Sequence, residues 1–258
     1  MPFTPPPGLE LIPDLPYGEQ AGRAHRIDVL RPTHRAAQPV PAVLFLHGGG
    51  WHMFGKYPEI NAFLARAGYV TFSSNYRYSH EAPFPAQLED ARAAVAWVRA
   101  HAARWGVDAG RVGVWGISAG AHLAALLGAL GEVQAVVDVC GPADFFDPGW
   151  EAELQDPRGP VSRLLGARAG EVAHLAAQAS PVCRVSPRSA PFLIVHGARD
   201  AQVPLSQAEA LHAALLEVDV PSELWVIPEG DHFINETHLP QIEARVLEFF
   251  RETLGDPL

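Results

Sequence analysis

Only two of the 258 residues are cysteine. A disulfide framework is therefore excluded, and Cys140 and Cys183 lack metal-ligand spacing. The expectation is two buried free thiols, with a single bridge between them as the alternative. Runs of Lys and Arg are also missing, and the formal net charge is -10. Nucleic acid and anionic membrane surfaces require clustered cations, so neither is expected as a partner. No apolar run reaches the length of a bilayer span. The opening residues, Met1-Pro2-Phe3-Thr4-Pro5-Pro6-Pro7-Gly8, have neither the basic start nor the apolar stretch of a secretory signal. A cytoplasmic location is the expectation. What is present suits burial: 48% of residues are hydrophobic and 19% charged, enough for a full core.

Periodicity along the chain supports one domain over residues 1–258. Residues 1–22, rich in proline and glycine, are expected to form an irregular arm. His25–Leu30 alternates weakly and suits an early antiparallel strand. Ala42–Leu46 is apolar throughout, as in a strand buried on both faces. A short helix over Glu59–Ala67 and a buried strand at Tyr69–Ser73 follow. Gln87–Arg104 carries apolar residues at helical spacing. Further strands are expected at Arg111–Trp115, Gln134–Val139, Phe192–Val195 and Glu223–Ile227, with helices at Leu205–Val218 and Leu239–Leu254. Strands alternating with helices mean crossover connections and a mostly parallel sheet. Residues 141–190 break the pattern and are too long for an ordinary connection. They are expected to form a small lid insertion over the carboxyl edge of the sheet.

Ligands of open α/β sheets sit beyond the carboxyl ends of the strands. Four stretches there carry chemistry. Gly116-Ile117-Ser118-Ala119-Gly120 links a strand to a helical pattern through Gly-x-Ser-x-Gly, as a nucleophile elbow requires. Taken alone it also fits an ordinary strand-to-helix turn. His47-Gly48-Gly49-Gly50-Trp51 exposes backbone N–H groups. Gly49 and Gly50, with Ala119, can aim them at a developing oxyanion. Asp200, in the turn after Phe192–Val195, can orient an imidazole, and Asp138 and Asp144 are its rivals. His232, after the last strand, is placed to act as general base. The order serine, acid, histidine is that of the α/β-hydrolase fold. Trp51 and Tyr76 are expected substrate-pocket walls, with ordinary core packing as the alternative; core packing is the stronger expectation for Phe54, and His47 is expected to be structural. No pair of ligating residues has metal spacing, so no metal and no cofactor is expected.

Together these motifs resemble the hormone-sensitive-lipase-like branch of the α/β-hydrolases. Asn75-Tyr76-Arg77-Tyr78, Ala82-Pro83-Phe84-Pro85, His196-Gly197-x-x-Asp200 and Gly230-Asp231-His232 complete the likeness. It is nearest to the compact bacterial group that includes bifunctional feruloyl and acetyl esterases, and it runs from about Val40 to the C-terminus. The resemblance implies a cofactor-free serine esterase for short acyl or aryl esters. Ser118 would be its nucleophile, His232 its base, Asp200 the acid, and Gly49, Gly50 and Ala119 the oxyanion donors. Two departures stand out. Ala121 replaces a second glycine after the elbow, and Arg77-Tyr78-Ser79-His80-Glu81 replaces the usual Tyr-Arg-Leu-x-Pro-Glu form. The long lid of true lipases is missing, which argues against long-chain triglycerides. An arylformamidase-type amide hydrolase would use the same triad. A non-catalytic small-molecule receptor on this fold would show a decayed one. The expected partner is a small-molecule ester, and the protein is expected to be a monomer or a homodimer.

Overall fold

Alternate residues of the central strands face opposite sides, and nearly all are apolar, so the sheet must be covered on both faces. In the computed structural model, which describes residues 3–18, 22–34 and 36–257, eight strands form that sheet. They are β1 (Leu9–Pro16), β2 (Arg26–Pro32), β3 (Val40–Leu46), β4 (Val70–Ser74), β5 (Val107–Ile117), β6 (Ala135–Val139), β7 (Phe192–Gly197) and β8 (Ser222–Ile227). Their order is β1-β2-β4-β3-β5-β6-β7-β8. The β1–β2 and β2–β4 pairs are antiparallel, and the remaining pairs are parallel.

The helices are α1 (Ala62–Arg66), α2 (Ala86–Ala100), α3 (Ala102–Trp105), α4 (Ala119–Ala129), α5 (Glu151–Gln155), α6 (Pro160–Leu165), α7 (Ala173–Ala179), α8 (Leu205–Glu217), α9 (Ile234–Thr237) and α10 (Leu239–Leu254). Leu44, Leu46, Val112 and Val114 point into a core with residues of α2 and α4. Val43, Phe45 and Trp115 point the other way, onto Phe249 and Phe250 of α10. This is an α/β-hydrolase architecture, a mostly parallel sheet between two helical layers. Among the described residues no helix is long and apolar enough to cross a membrane.

Three expectations need correction. Residues 9–16 are a strand and not part of an irregular arm; Met1, Pro2 and residues 19–21 lie outside the described residues. Pro13 and Pro16 hid the strand, but β1 pairs on one side only, and an edge strand tolerates a missing donor. Its register shifts between Ile12 and Leu15, where the Asp14 N–H turns to Asp28 Oδ1 at 2.7 Å. The helix expected over 87–104 breaks at His101 and ends at Gly106, whose φ is +70°. Finally, Cys140 is buried but Cys183 is exposed, because it lies on a surface 3-10 turn; both thiols are free. The connection from β6 to β7 holds α5, α6 and α7, joined by 3-10 turns.

Candidate functional site

The elbow is built by close approach. A Cβ at Gly116 would run into the backbone of Gly120, and one at Gly120 into the Leu46 carbonyl of β3. With hydrogen at both positions, β5 passes into α4 within one residue. That residue is Ser118, at φ +55° and ψ −120°. A side chain seldom adopts this conformation, and holding it stores about 1–3 kcal/mol. The Ser118 N–H donates to the Val139 carbonyl at 2.8 Å, which pins the turn to β6. Ser118 precedes α4, yet its hydroxyl does not cap the helix. It is left for His232, whose Nε2 lies 3.0 Å from Oγ.

His232 stands in the turn after β8, and its Nδ1 lies 2.6 Å from Asp200 Oδ2. A carboxylate accepts, so Nδ1 carries the hydrogen and Nε2 presents a lone pair to the serine hydroxyl. The other oxygen of Asp200 takes the N–H groups of Gln202 and Val203 at 2.8 and 2.9 Å. Burial pushes the Asp200 carboxyl up, but the His232 contact and these two N–H groups outweigh it and hold the pKa below the usual carboxylate range. The structure thus brings Ser118, His232 and Asp200 into one hydrogen-bonded line.

The rival acids lie elsewhere. Asp138 is fully buried in β6 and accepts the Gly141 N–H at 2.8 Å. Asp144 accepts from the Phe146 N–H. Both fix loops, and neither meets His232.

Gly49 has φ +99°, and a Cβ there would strike the Met53 carbonyl and the Phe54 ring. Only glycine lets the loop after β3 fold back this tightly. Among the described residues no acceptor takes the N–H groups of Gly49, Gly50 or Ala119. Ala119 opens α4, where unpaired N–H groups and the helix dipole favour negative charge.

Trp51 and Tyr76 differ from each other. Trp51 is 2% exposed, and it lines a cavity of about 440 Å³ beside Ser118. Tyr76 is fully buried and reaches neither cavity at the serine. Its hydroxyl donates to the His47 carbonyl at 2.8 Å, and its ring stacks on His47 at 4.3 Å. Tyr76 is therefore a support for the glycine loop, which corrects its expected place in the pocket wall. His47 is structural, its pKa lowered to about 4 by burial.

Sequence reasoning passed over His122. It is fully buried, with its pKa lowered to about 4 by burial. Nε2–H donates to the Ala179 carbonyl at 2.6 Å, and Nδ1 accepts the Trp51 indole N–H at 3.2 Å. One neutral ring so ties the glycine loop, α4 and the end of α7 together. The available signal was a lone histidine in the otherwise apolar run of α4, one helical turn after Ser118. Gln207 was also missed. Its Oε1 accepts the N–H groups of Ala143 and Asp144, which secures the start of the β6–β7 connection.

A second cavity, of about 580 Å³, is also lined by Ser118 and His232. Phe54, Met53, Tyr57 and Phe233 form its rim, all exposed. Phe54 is exposed at this rim and not packed in the core, where it was expected. Gly50, Ser118, Pro160, Gln202 and His232 border both cavities.

Cys140, His196 and Asp200 are buried with potential ligand atoms within 4.8 Å of one another. Two of them already have partners within the protein. His196 Nε2 lies 2.8 Å from the Val203 carbonyl and must carry a hydrogen. Asp200 is already bound to His232, and burial pushes the Cys140 thiol well above its ordinary range.

Comparison with known proteins gives a consistent picture. The family model described as BD-FAE matches residues 27–215. Esterase LipQ of Mycobacterium tuberculosis is 29% identical over 238 residues, covering 85% of this chain and 56% of LipQ. Esterase LipC of the same organism is 32% identical over 216 residues, covering 75% and 52%. The chain therefore spans about half the length of these curated relatives. Among solved structures, a truncated carbohydrate esterase from gut microbiota superposes with a TM-score of 0.85 at 26% identity, covering 94% of this chain and 95% of that one. An acetyl ester-xyloside bifunctional hydrolase from Caldicellulosiruptor lactoaceticus shares the fold, with a TM-score of 0.75 at 24% identity over 96% and 97% of the two chains.

Proposed function

Because the chain belongs to the BD-FAE family, we propose that it is a carboxylic ester hydrolase for short acyl or aryl esters, of acetyl or feruloyl type, working through Ser118, His232 and Asp200. One observation carries this reading: the line from Ser118 Oγ to His232 Nε2, and from Nδ1 to Asp200, at 3.0 and 2.6 Å. In the proposed cycle His232 Nε2 takes the Ser118 proton as Oγ attacks the ester carbonyl. The N–H groups of Gly49, Gly50 and Ala119 hold the oxyanion. His232 then gives the proton to the leaving alcohol, and an acyl-enzyme remains. Water, deprotonated by the same imidazole, releases the acid and restores the serine. Asp200 keeps Nδ1 protonated and stabilises the imidazolium that forms in each half. The names of the similar proteins, which include esterases and a carbohydrate esterase, support the ester reading.

The test is hydrolysis of p-nitrophenyl acetate, butyrate and octanoate beside methyl ferulate. Cleavage of the short esters should fall by about a thousandfold or more in Ser118→Ala and in Asp200→Asn. Asp138→Asn should remain active. Wild-type rates in folded Ser118→Ala would overturn the mechanism. Turnover of an N-formyl arylamine far above that of the esters would overturn the assignment to ester hydrolysis.

A further inference from the structure

Glu153 is a half-buried carboxylate with no role in the proposed cycle, and it lines the 440 Å³ cavity together with Ser118. It sits on α5, and its Oε1 accepts the N–H of Val161, in the first turn of α6, at 2.9 Å. The carboxylate is thus fixed between two short helices. Gly159 makes the room, since a Cβ there would come within 2.6 Å of Oε1 and 3.0 Å of Oε2. Around it the wall is apolar: Trp51, Pro142, Trp150, Pro160 and Val203, with the Gln202 amide nearby. Among the described residues no Lys or Arg borders either cavity at the serine and Glu153 has no ion-pair partner, although the Arg163 and Asp156 charges act on it from outside the cavity in opposite directions.

A fixed anion in a wall without cations sorts what enters. A second anion entering the cavity is repelled, because the apolar side chains around the carboxylate screen its charge less than water would. A hydroxyl hydrogen instead finds a charged acceptor, which makes a stronger bond than a neutral one. We propose that Glu153 is a specificity-determining residue that selects esters bearing free hydroxyl groups and rejects esters bearing a carboxylate. The inference rests on the esterase reading of Ser118 and names the chemistry of the substrate for that same site. Burial pushes the Glu153 pKa up and the Val161 N–H opposes this, which agrees with a carboxyl held away from bulk water.

The experiment compares kcat/KM for isosteric esters in the wild-type protein, in Glu153→Gln and in Glu153→Asp. Glycerol monoacetate, propyl acetate and acetylglycolate vary the alcohol side. Monomethyl succinate and methyl pentanoate vary the acyl side. In the wild type at least one carboxylate-bearing ester should be cleaved about tenfold or more slowly than its neutral isostere. Glu153→Gln should close that gap and reduce the preference for glycerol monoacetate over propyl acetate. Glu153→Asp keeps the charge and should keep both preferences, although it shortens the reach to Val161. A purely structural Glu153 would give the reverse order, with Gln the milder change and each variant slowed by its own uniform factor on every ester. That result, or a gap unchanged in Glu153→Gln, overturns the proposal. If the wild type cleaves no ester at all, the esterase reading fails instead.

Discussion

Asp138 illustrates how a single side chain can resemble a catalytic group and differ from it in environment. It is fully buried, its Oδ2 has no partner among the described residues, and burial pushes its pKa from 3.8 to about 7. Below pH 3.8 it is neutral in both the folded and the unfolded chain. Between about 4 and 7 only the unfolded chain releases the proton. The stability it allows is therefore full at low pH and is lost as pH rises through 7. Asp138→Asn should gain stability relative to wild type by at most about 4 kcal/mol between pH 4 and pH 8. Urea unfolding at both pH values checks this, and an equal difference at the two would refute it. Asp200 shows the opposite shift, because His232 and two N–H groups surround its oxygens. No sequence feature separates the two acids as clearly as these surroundings do. The order of serine, acid and histidine fits all three acids, and it was the turn after Phe192–Val195 that singled out Asp200, since Asp138 lies inside a strand. The elbow was legible for a different reason: its glycines answer to local backbone geometry, which is written in adjacent residues. Tyr76 was not legible, because an aromatic beside a glycine loop can face a cavity or brace the loop from beneath.

At the scale of elements, side chains distant in sequence hold the walls of the site. Arg77, in the loop after β4, grips Asp90 of α2 through Nε and Nη2 at 2.8–3.0 Å, while its own backbone N–H donates to Oδ2 at 2.7 Å. Asp90 is 2% exposed and also meets His25 at 3.0 Å. A lysine cannot reproduce a two-pronged grip of this kind. Arg77→Lys should lower stability by about 1–3 kcal/mol, read from thermal unfolding. An unchanged melting temperature would show that the fork is dispensable. The same scale explains the missed strand. A central strand announces itself by an unbroken apolar run, as at Val40–Leu46. An edge strand needs only one partner and one buried face, so β1 can hold two prolines and an exposed Asp14. The break at His101 was likewise hidden, since the apolar spacing continues from α2 into α3.

At the scale of the whole molecule, the alternation of strands and helices made the parallel sheet readable, but not the strand order. Sequence proximity would place β3 beside β2, whereas β4 lies between them. That crossing follows from packing, which no local pattern encodes. Both apolar layers share the one sheet, and the β6–β7 connection is joined to it: Val161, Leu164 and Ala176 belong to the same core cluster as α2 and α4. Loss of either layer would expose the other. Calorimetry should therefore show a single unfolding transition with equal calorimetric and van't Hoff enthalpies. Two separated transitions would mean that residues 141–190 form an independent unit.

The two cavities at Ser118 bear on how a substrate is housed. Under the proposed mechanism the acyl and alcohol parts of an ester would have one cavity each, with Gly50, Pro160 and Gln202 lining both. The Trp51–His122–Ala179 linkage fastens the end of α7 to the glycine loop beside them. The proposed site would thus separate the two halves of its substrate in space.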